Sequence, residues 1–229
     1  MGAMSKIDNA TAHPADEYDG NIRKSIPLYD QFHQATIDLV SSVWPSPQTW
    51  IDVGCGTGTL VEKAHRVFPT TEFVLADPSK AMLELATEKL KGRDRISLLQ
   101  PVTAEELRFP KPAAVVTAIQ SLHYLNTEQR RMAVRNCFHQ MQAGGLFVTF
   151  ENIRPLTDRG TEIGKENWKR SEIKAGKPEE EARKHVERFG TEFFPITIEA
   201  HLKLLREIGF ELVELLWYSY VQAGFYCIK

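Results

Sequence analysis

The stretch from Thr49 to Leu60, TWIDVGCGTGTL, constrains this chain more than any other. Trp50, Ile51 and Val53 read as a short buried strand. Gly54, Gly56 and Gly58 follow at alternate positions. Glycine permits positive φ and lets a ligand approach the backbone closely. After Gly58, Leu60, Val61, Ala64 and Val67 recur at helical spacing. The pattern is strand, tight glycine turn, helix. It places backbone N–H groups and a helix N-terminus at the carboxyl end of a strand, where α/β sheets bind ligands.

The spacing narrows the ligand. A dinucleotide fingerprint is G-x-G-x-x-G. Here the third glycine falls one place early, and Thr59 stands where a dehydrogenase carries glycine. Asp52 precedes the first glycine by two residues. A second strand, Phe73 to Ala76, ends at Asp77, and a carboxylate at that tip can accept both hydroxyls of a ribose. Together these residues resemble the class I S-adenosylmethionine (SAM)-dependent methyltransferases, strongly from Trp50 to Phe150 and more loosely beyond. Asp52-Val53-Gly54-Cys55-Gly56-Thr57-Gly58 matches that family's first motif without a gap.

The resemblance implies the fold: a doubly wound, Rossmann-like α/β domain. Its seven-stranded, mostly parallel sheet has an antiparallel final strand and a helical insertion after the fifth strand. It also implies SAM as cofactor and S-adenosylhomocysteine as product. Asp52, Gly54, Cys55, Gly56 and Gly58 would form the donor turn, and Asp77 would hold the ribose. Pro78, Ser79 and Met82 would wall the adenine slot. The family often has an aspartate on the adenine amine where this chain has Thr103; Thr103 accepts a hydrogen bond more weakly, and the Ala104 amide can meet a ring nitrogen. Gln120, just after the fourth strand, would touch the methionine part.

The bulk properties set limits. The chain has 229 residues, 25% of them charged, and a formal net charge of −2. One α/β domain fits that length. The charge argues against a nucleic-acid partner, whose footprint is a basic surface. Lys169-Arg170 and the Lys89–Arg95 run read as solvated helix faces. Cys55, Cys137 and Cys227 cannot all pair and form no C-x-x-C motif. No apolar run reaches a membrane span, and there is no secretory signal, so the expected location is the cytoplasm. No two His or carboxylates share a ligand-like spacing near the site, so no metal is expected.

The expected boundaries are residues 1–17 as a mobile leader, with Met1-Gly2-Ala3 as an expression scar, and 18–229 as one domain. Within the domain, residues 18–44 form an N-terminal lid helix with Pro27 in its first turn. Tyr29, Phe32 and His33 either contact the pocket from this helix or pack it onto the sheet. Strands at 96–100, 113–118 and 146–150 follow. A helix from Thr127 to Met141 is capped by Asn126 and stopped by Gly144-Gly145. Residues 155–195 break the alternation as two charged helices with the apolar stripe Ile163, Trp168, Ile173, Ala182 and Val186. Thr197 caps a helix ended by Gly209, and strands at 210–217 and 222–228 close the chain.

A catalytic residue is not legible, and His123, Tyr29 and His33 are the weak candidates. Methyl transfer needs a base only when the acceptor carries a proton at the working pH. Tyr29, Asn152, Arg154 and Trp168 are the acceptor-side candidates. The expected function is methyl transfer from SAM to a small molecule, with no nucleic-acid or membrane partner and a homodimer left open. One alternative is a SAM-using enzyme of the carboxy-SAM synthase type, which Ile26-Pro27-x-Tyr29 faintly resembles; the other is a catalytically silent SAM-binding protein.

Overall fold

A computed structural model describes residues 15–229. Of the expected leader, 1–17, residues 1–14 lie outside the described residues, and Ala15–Glu17 instead form a 3-10 turn that leads into the first helix. Helices α1 (Tyr18–Ser25) and α2 (Tyr29–Val43) follow. The expected single lid helix is thus two helices. Leu28, at φ +60, breaks them, and Pro27 lies in the break rather than in a first turn. A left-handed residue cannot continue a right-handed helix.

Seven strands build one sheet in the order β3-β2-β1-β4-β5-β7-β6. They are β1 (Thr49–Val53), β2 (Glu72–Ala76), β3 (Ile96–Leu98), β4 (Ala113–Ile119), β5 (Met141–Asn152), β6 (Leu212–Ser219) and β7 (Gln222–Ile228). β1 to β5 pair in parallel, and β7 runs against both β5 and β6. Helices α3 (Thr59–Val67), α4 (Lys80–Lys89) and α5 (Thr127–Gln140) connect the parallel strands, and α8 (Ile198–Ile208) precedes β6. α6 (Asp158–Lys174) and α7 (Glu179–Glu187) form the insertion after β5.

Period-two alternation along the strands fills two cores. Trp50, Phe73, Leu75 and Val148 pack with Phe32, Val61 and Trp168 on one face. Ile51, Val74, Val116 and Phe147 pack with Val134, Cys137 and Leu205 on the other. Residues buried on both faces explain the near-continuous apolar runs of β1 and β4.

Two expectations are corrected here. Gly144-Gly145 do not stop α5. The helix ends at Gln140, and the glycines lie inside β5, next to the register shift opposite Ala113 and Val115. A bulge uses the same residue type as a helix stop. Ile163 and Ile173 are exposed, whereas Trp168, Ala182 and Val186 are buried, so the insertion packs through a narrower stripe than the sequence suggests.

The strand order reverses between β1 and β4. Loops there leave in opposite directions and open a crevice at the carboxyl ends. The glycine turn leaves β1 and Gln120 leaves β4, so both border that crevice.

Candidate functional site

The three glycines serve three purposes. Gly54 has φ +70, and a Cβ there would meet Ser121 Cβ at 2.3 Å. Ser121 in turn donates to Val53 O. Gly54 therefore permits close approach of the β1 and β4 loops. Gly58 has φ +75 and lies under Leu90 Cδ1 of α4, 3.0 Å from where its Cβ would be. Gly56 has φ +53 and open space at its Cβ position. Of the three, only Gly56 has no protein atom within 4 Å of that position.

Asp77, at the tip of β2, organises the turn. Its Oδ2 accepts the Gly56 amide at 2.9 Å, and its Oδ1 accepts the Ser79 amide at 2.9 Å. Ser79 Oγ caps α4 by accepting from Met82 N. Pro78 is exposed beside it, and Met82 is buried. A carboxylate offers about four acceptor positions, so the same group suits both the turn and a diol.

Asp52 sits deeper than the family motif implies. It is buried and accepts from Thr117 Oγ1 at 2.6 Å, which in turn accepts from Trp50 Nε1. Burial, together with the nearby Asp77 charge, pushes its pKa up to about 7 against the Thr117 hydrogen bond. Burial also raises the Cys55 thiol well above its usual value, so Cys55 is a packed filler and not a nucleophile. Thr103 and Ala104 turn into structure: Thr103 Oγ1 donates to Glu106, and Ala104 O accepts from Asn136.

Gln120 is the unusual residue. It has φ +56, a left-handed conformation that glutamine rarely adopts. Both its side-chain Oε1 and Nε2 are buried without a protein partner. An orphaned buried amide costs free energy, and strain of this kind concentrates at functional sites. Gln120 lines a small cavity of about 20 Å³ with Tyr18, His123, Tyr124, Asn152, His185 and Phe193. Such a space admits about one water, not a reactant.

The cavity wall mixes apolar side chains, Ile22, Ile26 and Phe193, with polar ones. His123 Nδ1 lies 3.2 Å from Glu151 Oε2, and His185 Nδ1 lies 2.5 Å from Glu172 Oε1. Burial lowers both imidazole pKa values although each carboxylate opposes it, so both rings are neutral at pH 7. Burial pushes the Tyr124 hydroxyl up to about 12. Asn152 is buried in the strand end rather than after it, with its Oδ1 accepting from Gln222.

Several sequence candidates lie elsewhere. Arg154 turns outward to Asp158 at the start of α6, half-exposed at 53%. Trp168 is buried in the insertion, donating to Ser25 O, and does not line the cavity. Tyr29 hydrogen-bonds Tyr18 behind the cavity wall. His33 packs edge-on to Tyr29, and burial drops its pKa to about 3. Among the three weak catalytic candidates, only His123 reaches the cavity. Tyr18, His185 and Phe193 were missed, and no motif marks them; they come together only through the fold.

A larger open groove of about 770 Å³ runs between α6 and the β6–β7 hairpin, past Ile163 and Tyr218. No residue of the glycine turn, the β2 tip or the β4 end lines it. Among the described residues no cluster of His, Cys, Asp and Glu could hold a metal, and no helix is long and apolar enough to cross a membrane.

Residues 51–145 match the family model described as "Methyltransferase domain". A carboxy-S-adenosyl-L-methionine synthase from Trichodesmium erythraeum is 26% identical over 200 residues, 86% of this chain and 79% of that one. The N-methyltransferase NodS from Bradyrhizobium japonicum WM9, solved with S-adenosyl-L-homocysteine, superposes with a TM-score of 0.65 at 14% identity, over 96% of this chain and 93% of that one. A putative O-methyltransferase from Nostoc punctiforme PCC 73102 superposes with a TM-score of 0.68 at 15% identity, over 99% of this chain. This chain spans 64% of that longer protein.

Proposed function

We propose that this chain, which carries a methyltransferase domain on the class I SAM-dependent methyltransferase fold, transfers a methyl group from SAM to a small molecule. The observation that carries the reading is Gln120: a strained residue at the switch point whose buried amide has no protein partner. It adjoins a glycine turn whose Gly56 opens onto free space. When bound, SAM supplies a methyl group made electrophilic by its sulfonium.

The residues have separable tasks. Asp77 would accept the ribose hydroxyls while holding Gly56 in place. The Gly56 gap would admit the donor, and Met82 with Pro78 would flank its adenine. Gln120 would pair with the donor's amino-acid end. The acceptor would meet the donor beside Gln120, where the small cavity would have to widen to admit it. There the protein's work is to align the reacting atoms at roughly 3–3.5 Å and exclude water. His123, held by Glu151, and His185, held by Glu172, are neutral and so able to take a proton from an acceptor that carries one.

The name of the Trichodesmium erythraeum relative supports a second reading, formation of carboxy-SAM. A carboxylate beside the sulfonium would call for a cation in the cavity wall. Neither lysine nor arginine lines that cavity directly, but Lys177 reaches Ser25 in its wall and Arg188 stacks over Phe193, so the lining does not separate the two readings. With a net charge of −2, no nucleic-acid partner is proposed. Mass spectrometry of the ligand extracted from the purified protein separates the readings. SAM or S-adenosylhomocysteine is expected. Carboxy-SAM would move the chain to the second reading.

A further inference from the structure

Helix α1 is fastened at both ends, to different parts of the molecule. At its first turn Asp19 Oδ1 accepts from Thr57 Oγ1 at 2.7 Å and from Thr59 Oγ1 at 3.3 Å. Lys89 Nζ lies 2.6 Å from Asp19 Oδ2 and donates to both threonines at 2.7 Å. Thr57 belongs to the glycine turn, and Thr59 opens α3. This end of α1 is therefore pinned on the donor side.

At its last residue, Ser25, α1 is held by the insertion. Trp168 Nε1 donates to Ser25 O at 2.7 Å, and Lys177 Nζ donates to Ser25 Oγ at 2.8 Å. Lys177 also pairs with Glu172 at 2.7 Å, and Glu172 holds His185, which lines the cavity beside Gln120. All of these side chains are buried. Buried ion pairs are poor sources of net stability, and their retention calls for another explanation. A chain of contacts thus runs from the cavity wall, through the insertion, to the helix that lies on the glycine turn.

We propose that α1 is a strap whose grip on the donor is set from the acceptor side, through the clamp of Trp168 and Lys177 on Ser25. This rests on the donor reading above. The clamp sits at the opposite end of α1 from the donor turn, so weakening it releases the donor faster without altering the turn itself. An acceptor that engages His185 draws on the same string of contacts. Coupling of this kind is reciprocal between the two ligands.

The test is the dissociation rate of S-adenosylhomocysteine, followed by stopped-flow tryptophan fluorescence in the full chain. Ser25→Ala removes the Lys177 contact together with the Ser25 Oγ bond to Asn21 O, and Trp168→Phe removes the Ser25 O contact at the cost of a small void. Each is expected to speed release by about fivefold, the effect of one net hydrogen bond. Asp19→Asn is expected to speed it as well. Because both fastenings act on one helix, the double variant Ser25→Ala/Asp19→Asn should depart from additivity. Amide exchange across residues 18–25 should rise in the clamp variants with bound ligand. Unchanged release rates in Ser25→Ala, with Asp19→Asn faster, would overturn the coupling and leave the donor reading intact. If Trp168→Phe unfolds, Ser25→Ala alone decides the matter. Failure of the wild-type chain to bind S-adenosylhomocysteine would overturn the donor reading, and the strap with it.

Discussion

Asp77 Oδ2 accepts the Gly56 amide at 2.9 Å, so the carboxylate at the tip of β2 holds the glycine turn that leaves β1. Its other oxygen fixes Ser79 at the start of α4. Hydrogen bonds from backbone N–H groups to a carboxylate are charge-assisted and stronger than neutral ones. The residue that would bind the ribose is thus the one that shapes the loop beside it. Substitutions here act on the turn as well as on the ligand, and the glycine turn must be probed separately.

The glycines provide that separation. Gly54→Ala drives a Cβ to 2.3 Å from Ser121 Cβ at a positive φ. Overpacking and strain together should cost about 2–4 kcal/mol. Gly56→Ala meets open space and costs only the left-handed strain, about 1–2 kcal/mol. It should nevertheless weaken S-adenosylhomocysteine binding, because the new methyl group enters the gap. Thermal unfolding and calorimetry on both variants check this contrast. Wild-type affinity in Gly56→Ala would show that the gap is not where the donor approaches.

Gln120→Ala should separate stability from binding. The native amide is buried without a partner, so its removal relieves a desolvation cost, and alanine in the same left-handed conformation adds little new strain. Stability is expected to hold or rise, while donor affinity falls by about tenfold with the loss of a polar contact. A destabilised variant with full affinity would make Gln120 a structural residue. Activity sites commonly show this exchange of stability for function.

Asp52 predicts a pH dependence. Burial raises its folded pKa to about 7, above the ordinary carboxylate value. Between those two values the folded state holds a proton that the unfolded state has lost, so stability falls as pH rises. The contribution is fully present below about pH 4 and is lost by about pH 7. Asp52→Asn cannot ionise and still accepts from Thr117. Its unfolding midpoint should vary less than that of the wild type between pH 5 and 7.5. Equal slopes in the two proteins would refute the assignment.

Local signals account for what was legible in the sequence. Strands β1, β4 and β7 are apolar because both faces or one face and an edge are covered, and caps at Ser79, Asn126, Thr157 and Thr197 mark helix starts with their own side chains. The turn, Asp77 and Gln120 follow strand ends, so their place in the crevice follows from the alternation of elements. Long-range pairing was not legible. Asp19, Thr57 and Lys89 meet across 38 and 32 residues, and Ser25 meets Lys177 across 152. Lys89 reads in the sequence as part of a solvated face, whereas its side chain is largely covered and bonds Asp19, Thr57 and Thr59, partners that nothing near it in sequence reveals. Arg154 follows β5 as the sequence suggests, but its side chain turns outward to Asp158 at the start of α6, a direction that strand–helix alternation does not encode.

The central claim is that the Asp77–Gly56 turn binds the SAM nucleoside. It is tested most directly by titrating S-adenosylhomocysteine into the wild-type chain and into Asp77→Ala by calorimetry. The account predicts one site per chain, with a dissociation constant on the order of micromolar or tighter, weakened at least roughly tenfold in Asp77→Ala. Absence of binding to the folded wild-type chain, or equal affinity in the two proteins, would contradict it.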